Sequence, residues 1–178
     1  MKAKKIDLAM NLVMVAFDGI HRIGPQAIPA STHSLGVGLS LIRYGYPLEV
    51  CIGGFCHDLV EDTEVTLQMI EHHFGKRVAE LVEACTFDPA LGERAGEKSL
   101  NERVFALAHA GDCEPLVIKC ADCLDNLQTN YVLKPESQVL SYESACERRD
   151  AALRYLPDDQ LAKDLCIVVA REKMRLGR

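Results

Sequence analysis

The sequence contains no apolar run of transmembrane length, no block of basic residues and almost no strict alternation of apolar and polar side chains. The first absence argues against a membrane-spanning helix. The second, with a formal net charge of −6, leaves no electrostatic footprint for nucleic acid or for an anionic membrane surface. We therefore expect neither nucleic acid nor a membrane as a partner, and an anionic ligand would need a local binding arrangement.

The N-terminal segment lacks the features of a secretory signal. Asp7 and Asn11 interrupt its apolar residues, and no small-residue cleavage site follows them. The eight cysteines lie inside apolar periodic stretches, as at Cys51 and Cys85, rather than in a framework of short loops. This pattern is typical of reduced, packed thiols and predicts a cytoplasmic protein.

Apolar positions recur every three or four residues, which predicts an all-α fold of about seven or more helices. The 178 residues suffice for one ordinary domain, and repeats, low-complexity segments and linkers are absent, so we expect a single domain over residues 1–178.

Capping residues predict several helix ends. Ser31 or Thr32 would cap a second helix, a third would start after Pro47 and run to about Asp62, and Thr66 and Gly75 would bound a short one. The other predicted helices cover about residues 7–17, 76–85, 100–110, 114–129 and 137–156, with a last one after residue 159 and the longest irregular segment at 86–99.

The segment "FCHDLVEDTEVT", residues 55–66, crowds charge onto the end of an apolar helix. Residues four apart on a helix lie one above the other, so His57 would stack with Glu61. Asp58 would stack with Asp62 in the same way. Several acceptors aimed at one space repel each other unless a cation lies there, which favours a metal site. The alternative is an exposed helix end whose charges are solvated.

Further metal ligands would have to come from elsewhere in the chain. His33 is a candidate, and could equally be a cap or a half-buried ring with satisfied hydrogen bonds. Asp122 lies in the apolar helix "LVIKCADCLDNL", where a charge needs a partner, and Lys119 could be that partner instead of a metal.

The remaining histidines and the cysteine pair are weaker candidates. Cys120 and Cys123 form a CxxC motif, but no second pair lies at zinc-finger spacing and the motif falls inside a helix, so packing is favoured over zinc or redox chemistry. The weaker histidines are His21, His72, His73 and His109.

The order of a histidine, an adjacent His-Asp pair and a distant Asp resembles the HD superfamily of metal-dependent phosphohydrolases. More closely, "CHDLVEDTEVTLQMIEHHFGKRVAELVEACT" resembles the hydrolase domain of the RelA/SpoT family, and "IKCADCLDNLQT" is similar to that family's "KLADRLxN" segment. The similarity covers roughly residues 10–130, and the chain length is similar to that of the small stand-alone alarmone hydrolases.

This resemblance implies an HD-domain helical bundle and a set of site residues. Glu61 and Asp62 match an acidic pair that orients and deprotonates the attacking water and assists the leaving group. The positions that match the family's metal ligands, usually for Mn²⁺, are His33, His57, Asp58 and Asp122. Those that match substrate contacts are Arg22, Asn126 and Thr129.

The chain departs from the family around the predicted base-binding side. The loop "IGPQAIPAST" between Arg22 and His33 is two residues longer than usual and lacks the Ser-Gly-x-Pro-Tyr pattern. Ser34 replaces a proline that generally follows the histidine. Other replacements are Phe17 for a histidine and Cys123 and Asp125 for residues that are often Arg and His.

The resemblance implies a hydrolase that removes the 3′-pyrophosphate of guanosine tetra- or pentaphosphate (ppGpp), a small-molecule nucleotide, with a Mn²⁺-activated water. One alternative is a phosphohydrolase for another nucleotide or for NADPH. A second alternative, from a different class, is a regulatory module that binds nucleotide without turnover. The sequence leaves the oligomeric state open, a homo-oligomer included.

Overall fold

The computed structural model describes residues 2–22, 27–129, 131 and 133–178, apart from the side chains of Pro89 and Glu93. Within these ranges the fold is all-α, as predicted, and a single bridge between His21 and Pro29 is the extent of β pairing. The helices are α1 (Lys2–Ala16), α2 (Ser31–Tyr44), α3 (Leu48–Cys56), α4 (Leu59–Asp62), α5 (Leu67–Phe74), α6 (Lys76–Cys85), α7 (Glu93–His109), α8 (Glu114–Thr129), α9 (Pro135–Tyr155) and α10 (Gln160–Arg175), with a short 3₁₀ helix at Pro89–Leu91.

Several predicted helix ends are confirmed. The Thr66 hydroxyl accepts a 3.3 Å hydrogen bond from the Met69 amide and so caps α5. Gly75 ends α5 with a φ of 98°, a conformation that favours glycine. The predicted bounds 76–85 and 114–129 are those of α6 and α8.

The predicted cap of α2 was wrong. Ala30 is the N-cap residue, and no side chain there accepts a hydrogen bond from the first turn. Ser31 and Thr32 are already inside the helix, where the Thr32 hydroxyl donates a 2.7 Å hydrogen bond back to the Pro29 carbonyl. Both hydroxyl residues lie past the N-cap position, so neither is the predicted cap, although the helix begins within one residue of the predicted start.

The predicted continuous helix from Pro47 to Asp62 is interrupted. α3 ends at Cys56 and α4 begins at Leu59, with His57 and Asp58 in a turn between them. The His57 Nδ1 atom lies 2.9 Å from the Gly54 carbonyl oxygen, the acceptor that an unbroken helix would offer to the Asp58 amide. The imidazole competes for this acceptor, which accounts for the break.

The prediction of an irregular segment over residues 86–99 was wrong for its second half, because α7 begins at Glu93 rather than near Leu100. The polar residues of "ERAGEKS" gave no apolar period, yet the helix they form packs against α6, α8 and α9. Tertiary packing thus outweighed the weak local signal.

α8 lies at the centre of the bundle and packs against α2, α3, α6, α7, α9 and α10. One apolar cluster surrounds it, and a second joins α1, α3, α5 and α6. All eight cysteines are free thiols; Cys120 and Cys123 are buried in α8, in agreement with a packing role. In the part of the chain that the structure describes, no helix combines the length and apolarity that crossing a membrane requires.

Candidate functional site

A cavity of about 400 Å³ opens where α2, the turn after α3, α4 and α8 meet. Its polar lining comes almost wholly from residues that the sequence singled out. The residues singled out are His21, Arg22, His33, Asp58, Glu61, Asp62, Lys119, Asp122 and Asn126. Glu97 also lines the cavity and was not singled out. The cavity therefore assembles side chains from distant parts of the chain into one site.

Three of the predicted metal ligands form a compact donor cluster. One donor atom each from His33, His57 and Asp58 lies within 4.8 Å of the other two. The fourth predicted ligand, Asp122, adjoins them, since its Oδ1 lies 3.2 Å from His33 Nε2 and 4.0 Å from His57 Nε2. These separations are those of atoms arranged around a small central space.

The hydrogen bonding of the two ring nitrogens of His57 is compatible with a cation in that space. The ring is fully buried, and its Nδ1 donates to the Gly54 carbonyl, so that in the neutral ring, the form that ligates a metal, the lone pair is on Nε2. Nε2 has no hydrogen-bond partner, although Asp58 Oδ1 lies 2.9 Å away. A buried polar atom without a partner is costly, and a metal ion would satisfy it. The His/Asp cluster can thus hold a divalent metal.

Nearby charges keep both carboxylates ionised. Burial by itself would raise the pKa of Asp122, but the Lys119 ammonium, 2.5 Å from Oδ2, and the neighbouring histidines hold it well below its usual range. Burial likewise opposes ionisation of Asp58, yet the imidazoles of His57 and His33 lower its pKa to about 2. Anionic oxygens are the form that binds a metal.

The contacts of Asp122 are compatible with both interpretations that the sequence left open, a metal ligand and a partner of Lys119. Its Oδ2 pairs with Lys119, and its Oδ1 faces the histidines. The guanidinium of Arg148, on α9, lies 3.6 Å from the same Oδ2. One oxygen of the Asp122 carboxylate therefore faces two cationic side chains, and the other faces the donor cluster.

The acidic pair predicted to act on water lies on α4 and lines the same cavity. Glu61 is half-buried, and its Oε2 accepts a 3.3 Å hydrogen bond from the Phe87 amide. Burial, with the Asp58 charge adding to it, raises the pKa of Glu61 to about 8. Asp62 lies at the rim with part of its surface exposed, and the partial burial of its carboxyl, with the charge of Asp58, raises its pKa as well.

The three predicted substrate contacts lie together and bind one another. Arg22 donates from Nη2 to Asn126 Oδ1 at 2.6 Å and from Nη1 to Thr129 Oγ1 at 3.4 Å. Asn126 donates in turn to Asp122 Oδ1 at 2.5 Å. Arg22 and Asn126 line the cavity, whereas Thr129 lies behind Arg22 and outside the lining. Residues 23–26 of the lengthened loop lie outside the described residues.

Sequence reasoning missed Arg148, which lies in the charged run "ERRD" yet is almost fully buried. Its guanidinium donates to Glu97 at 2.6 Å and to Asn101 at 2.9 Å, both on α7. A second cavity of about 430 Å³, lined by Arg148 and three serines of α9, shares Glu61, Asp122 and Asn126 with the first. The available signal was helical period, because Arg148 shares a face with the buried Ala145 and Ala152.

The weaker histidine candidates lie outside the donor cluster. His21 lines the cavity, but its Nδ1 lies 3.1 Å from the Gly19 carbonyl oxygen. His72 and His73 are exposed at the end of α5, and His109 ends α7 beside Tyr155.

A family model described as HD domain matches residues 9–146, which include all four predicted ligands and the acidic pair. The chain belongs to the HD domain family. The superfamily resemblance predicted from the His-Asp pair is therefore confirmed, and the match ends two residues before Arg148.

Curated proteins with similar sequences carry names that agree with the RelA/SpoT resemblance. The HD domain described here is 36% identical over 110 residues to a guanosine-3′,5′-bis(diphosphate) 3′-pyrophosphohydrolase of Aquifex aeolicus, covering 62% of this chain and 16% of that protein. It is 35% identical over 171 residues to a probable enzyme of the same name from Synechocystis, covering 84% of this chain and 22% of that protein. The chain thus spans less than a quarter of these relatives.

A solved structure shows the same fold. The HD domain matches a metazoan ortholog of SpoT, described as hydrolysing ppGpp and as acting in starvation responses, with a TM-score of 0.78 and 23% sequence identity. The match covers 97% of this chain and 96% of that one. The predicted HD-type bundle is therefore confirmed over nearly the full length of both.

Proposed function

We propose that this HD domain hydrolyses guanosine 3′,5′-bis(diphosphate), releasing pyrophosphate from the ribose 3′ position. One observation carries the proposal: the donor cluster of His33, His57 and Asp58 and the acidic pair of α4 line or adjoin one cavity. The names of the relatives support the substrate, because two of them are guanosine-3′,5′-bis(diphosphate) 3′-pyrophosphohydrolases.

We further propose Mn²⁺ as the ion, with four ligands from the chain: His33, His57, Asp58 and Asp122. Two imidazole nitrogens and two carboxylates form a mixed, oxygen-containing set that suits manganese in ligand hardness. When bound, the ion would supply Lewis-acid stabilisation of phosphate charge and make a water more acidic. Both imidazoles turn Nε2 towards the cluster, because a backbone carbonyl or a carboxylate holds each Nδ1.

Glu61 is the proposed general base. A base is most effective when its pKa lies near the working pH, and the pKa of Glu61 is raised to about 8. In the reaction the water oxygen bonds to the phosphorus attached to the ribose 3′ oxygen, the water proton passes to Glu61, and the bond between phosphorus and the 3′ oxygen breaks. The 3′ oxygen takes up a proton, for which Asp62 at the rim is the proposed source. The products are guanosine diphosphate and pyrophosphate.

Arg22 and Asn126 are the proposed substrate contacts, with Thr129 supporting Arg22 from behind. Arg22 is the only one of these three side chains that carries a charge, and a guanidinium suits both phosphate oxygens and the face of a base. Its present partners are neutral oxygens of Asn126 and Thr129, with Asp125 Oδ2 at 3.8 Å. A phosphate would offer stronger, charge-assisted hydrogen bonds than these neutral oxygens.

We also retain as proposals a single domain over residues 1–178 and a cytoplasmic location.

The test is incubation of the Mn²⁺-loaded protein with guanosine 3′,5′-bis(diphosphate), following pyrophosphate and orthophosphate separately. The wild type should release pyrophosphate, and Glu61→Gln should lose roughly 10²- to 10⁴-fold in kcat. Glu64→Gln is the matched control, because Glu64 is exposed and does not line the cavity. Absence of pyrophosphate from the wild type would contradict the proposed substrate, and equal rates in all three proteins would contradict the role of Glu61.

A further inference from the structure

The imidazole of His33 is held between two carboxylates of α8. Asp122 Oδ1 lies 3.2 Å from Nε2, on the side of the donor cluster. Asp125 Oδ2 lies 2.7 Å from Nδ1, on the opposite side of the ring. Residues three apart on a helix share a face, so α8 presents both carboxylates to the same ring.

The Asp125 contact determines which nitrogen of His33 can face a metal. An ionised carboxylate only accepts hydrogen bonds, so Nδ1 carries the hydrogen that it donates to Asp125. In the neutral ring this leaves the lone pair on Nε2, the atom in the donor cluster. A carboxylate behind a ligating histidine fixes the ring's orientation and makes the ligating nitrogen more basic.

The packing of α2 against α8 is shaped to admit this carboxylate. Gly36 lies three residues after His33 on α2, and a Cβ at Gly36 would overlap Asp125 Oδ1. Any side chain there would have to displace the carboxylate from its place beside the ring. Arg22 Nη1, 3.8 Å from Asp125 Oδ2, partly balances the negative charge.

We propose that Asp125 is a positioning residue for the metal ligand His33, and that Gly36 provides the space that this role requires. The inference rests on the proposed metal site and adds to it a residue of the second layer. Asp125 does not line the cavity, so its effect on a metal passes through the imidazole. It also lines a separate cavity with Gly36 and Gln128, on the far side of the ring.

The experiment measures Mn²⁺ affinity directly, without substrate, by calorimetric titration of the metal-free protein. Asp125→Ala should raise the dissociation constant for Mn²⁺ roughly 10- to 100-fold. Asp125→Asn keeps a hydrogen-bond acceptor without the charge and should show a smaller increase. Gly36→Ala should weaken Mn²⁺ binding in the same direction. Gln128→Ala is the matched control, because Gln128 is an exposed residue one turn from Asp125 and should leave the affinity unchanged.

Each variant's thermal midpoint without metal is recorded alongside, since a purely structural role would change the midpoint and not the Mn²⁺ affinity. Weaker binding in both Asp125 variants, with Gln128→Ala unchanged, supports the proposal. An affinity within twofold of the wild type in Asp125→Ala, or in Asp125→Asn if the alanine variant does not fold, overturns it and leaves the proposed function standing. Absence of Mn²⁺ binding in the wild type overturns the manganese site and this inference together.

Discussion

Arg22 donates a 2.6 Å hydrogen bond to the side-chain oxygen of Asn126, a residue 104 positions further along the chain. Asn126 in turn donates to Asp122, so the loop before α2 is connected to a candidate metal ligand through one amide. Two residues singled out for substrate binding thus bind each other. An incoming phosphate would have to take Arg22 from partners that are already in place.

Replacing Arg22 tests whether it binds substrate. Arg22→Ala should raise KM by roughly 10- to 100-fold, because a hydrogen bond to a charged group contributes about 1.5–3 kcal/mol. A smaller change in kcat would indicate that the contact exists before the transition state as well as in it. Steady-state kinetics with guanosine 3′,5′-bis(diphosphate) provide the measurement. Arg43→Ala, which removes an exposed guanidinium from α2, is the control and should leave KM unchanged; an equal rise in both variants would argue against a specific contact.

Replacing Asp58 tests the metal ligands. Asp58→Asn should abolish Mn²⁺ binding without unfolding the chain, because an amide oxygen lacks the charge that the two imidazoles otherwise stabilise. Mn²⁺ at 100 times its dissociation constant should stabilise the wild type by about 2.7 kcal/mol and leave the variant unchanged. Thermal unfolding with and without Mn²⁺ checks this, with exposed Asp7→Asn as the control. Stoichiometric Mn²⁺ retained by Asp58→Asn would show that the ligand assignment is wrong.

The raised pKa of Glu61 predicts a pH-dependent stability of the metal-free protein. Burial raises this pKa from 4.5 to about 8, so the folded chain holds the proton more tightly than the unfolded chain does. The wild type should therefore lose free energy of unfolding, relative to Glu61→Gln, as the pH rises from about 4.5 through about 8. Urea denaturation at pH 4, 6, 8 and 9 would measure the difference. A constant difference in the free energy of unfolding across this range would mean that folding does not raise the pKa of Glu61.

The buried ion pair between Lys119 and Asp122 predicts a large stability effect. Lys119→Met should destabilise the metal-free protein by about 3 kcal/mol, because it leaves Oδ2 of the buried Asp122 with the more distant Arg148 as its charged partner. Lys76→Met is the matched control, since the Lys76–Glu80 pair is exposed and should contribute less than about 1 kcal/mol. Chemical denaturation of both variants measures this. Similar losses in the two would show that Lys119 does not compensate a buried charge.

Helices with strong local signals were predictable from sequence alone. The Thr66 cap, the Gly75 stop and the apolar period of α8 are each encoded within a few residues, and the structure has them where they were expected. The break after Cys56 was not predictable in this way. It coincides with the contact between Nδ1 of the fully buried His57 ring and the Gly54 carbonyl oxygen, which residue types alone do not specify.

The candidate site likewise combines residues that the sequence could identify with residues that it could not. The His-Asp pair and the acidic residues of α4 lie within one short segment, and their spacing was informative before any fold was known. Arg148 and Asp125 gave no such signal, because a charged residue on a helix is usually solvated, and Asp125 stood out only as a departure from the family. Each acquires its role only where α8 meets another helix: Arg148 from α9 beside Asp122, and Asp125 opposite His33 of α2.

The sequence by itself determined the helical class, the resemblance to the HD superfamily and the residues that bring nitrogen and carboxylate donors to the site. These properties follow from residue types at short spacings, which act locally along the chain. Only the tertiary structure decided how the donors are held: which nitrogen of each histidine faces the cluster, which oxygen of Asp122 faces the cations, and that Gly36 leaves room for Asp125. Such relationships depend on distances between helices far apart in sequence, and packing sets those distances.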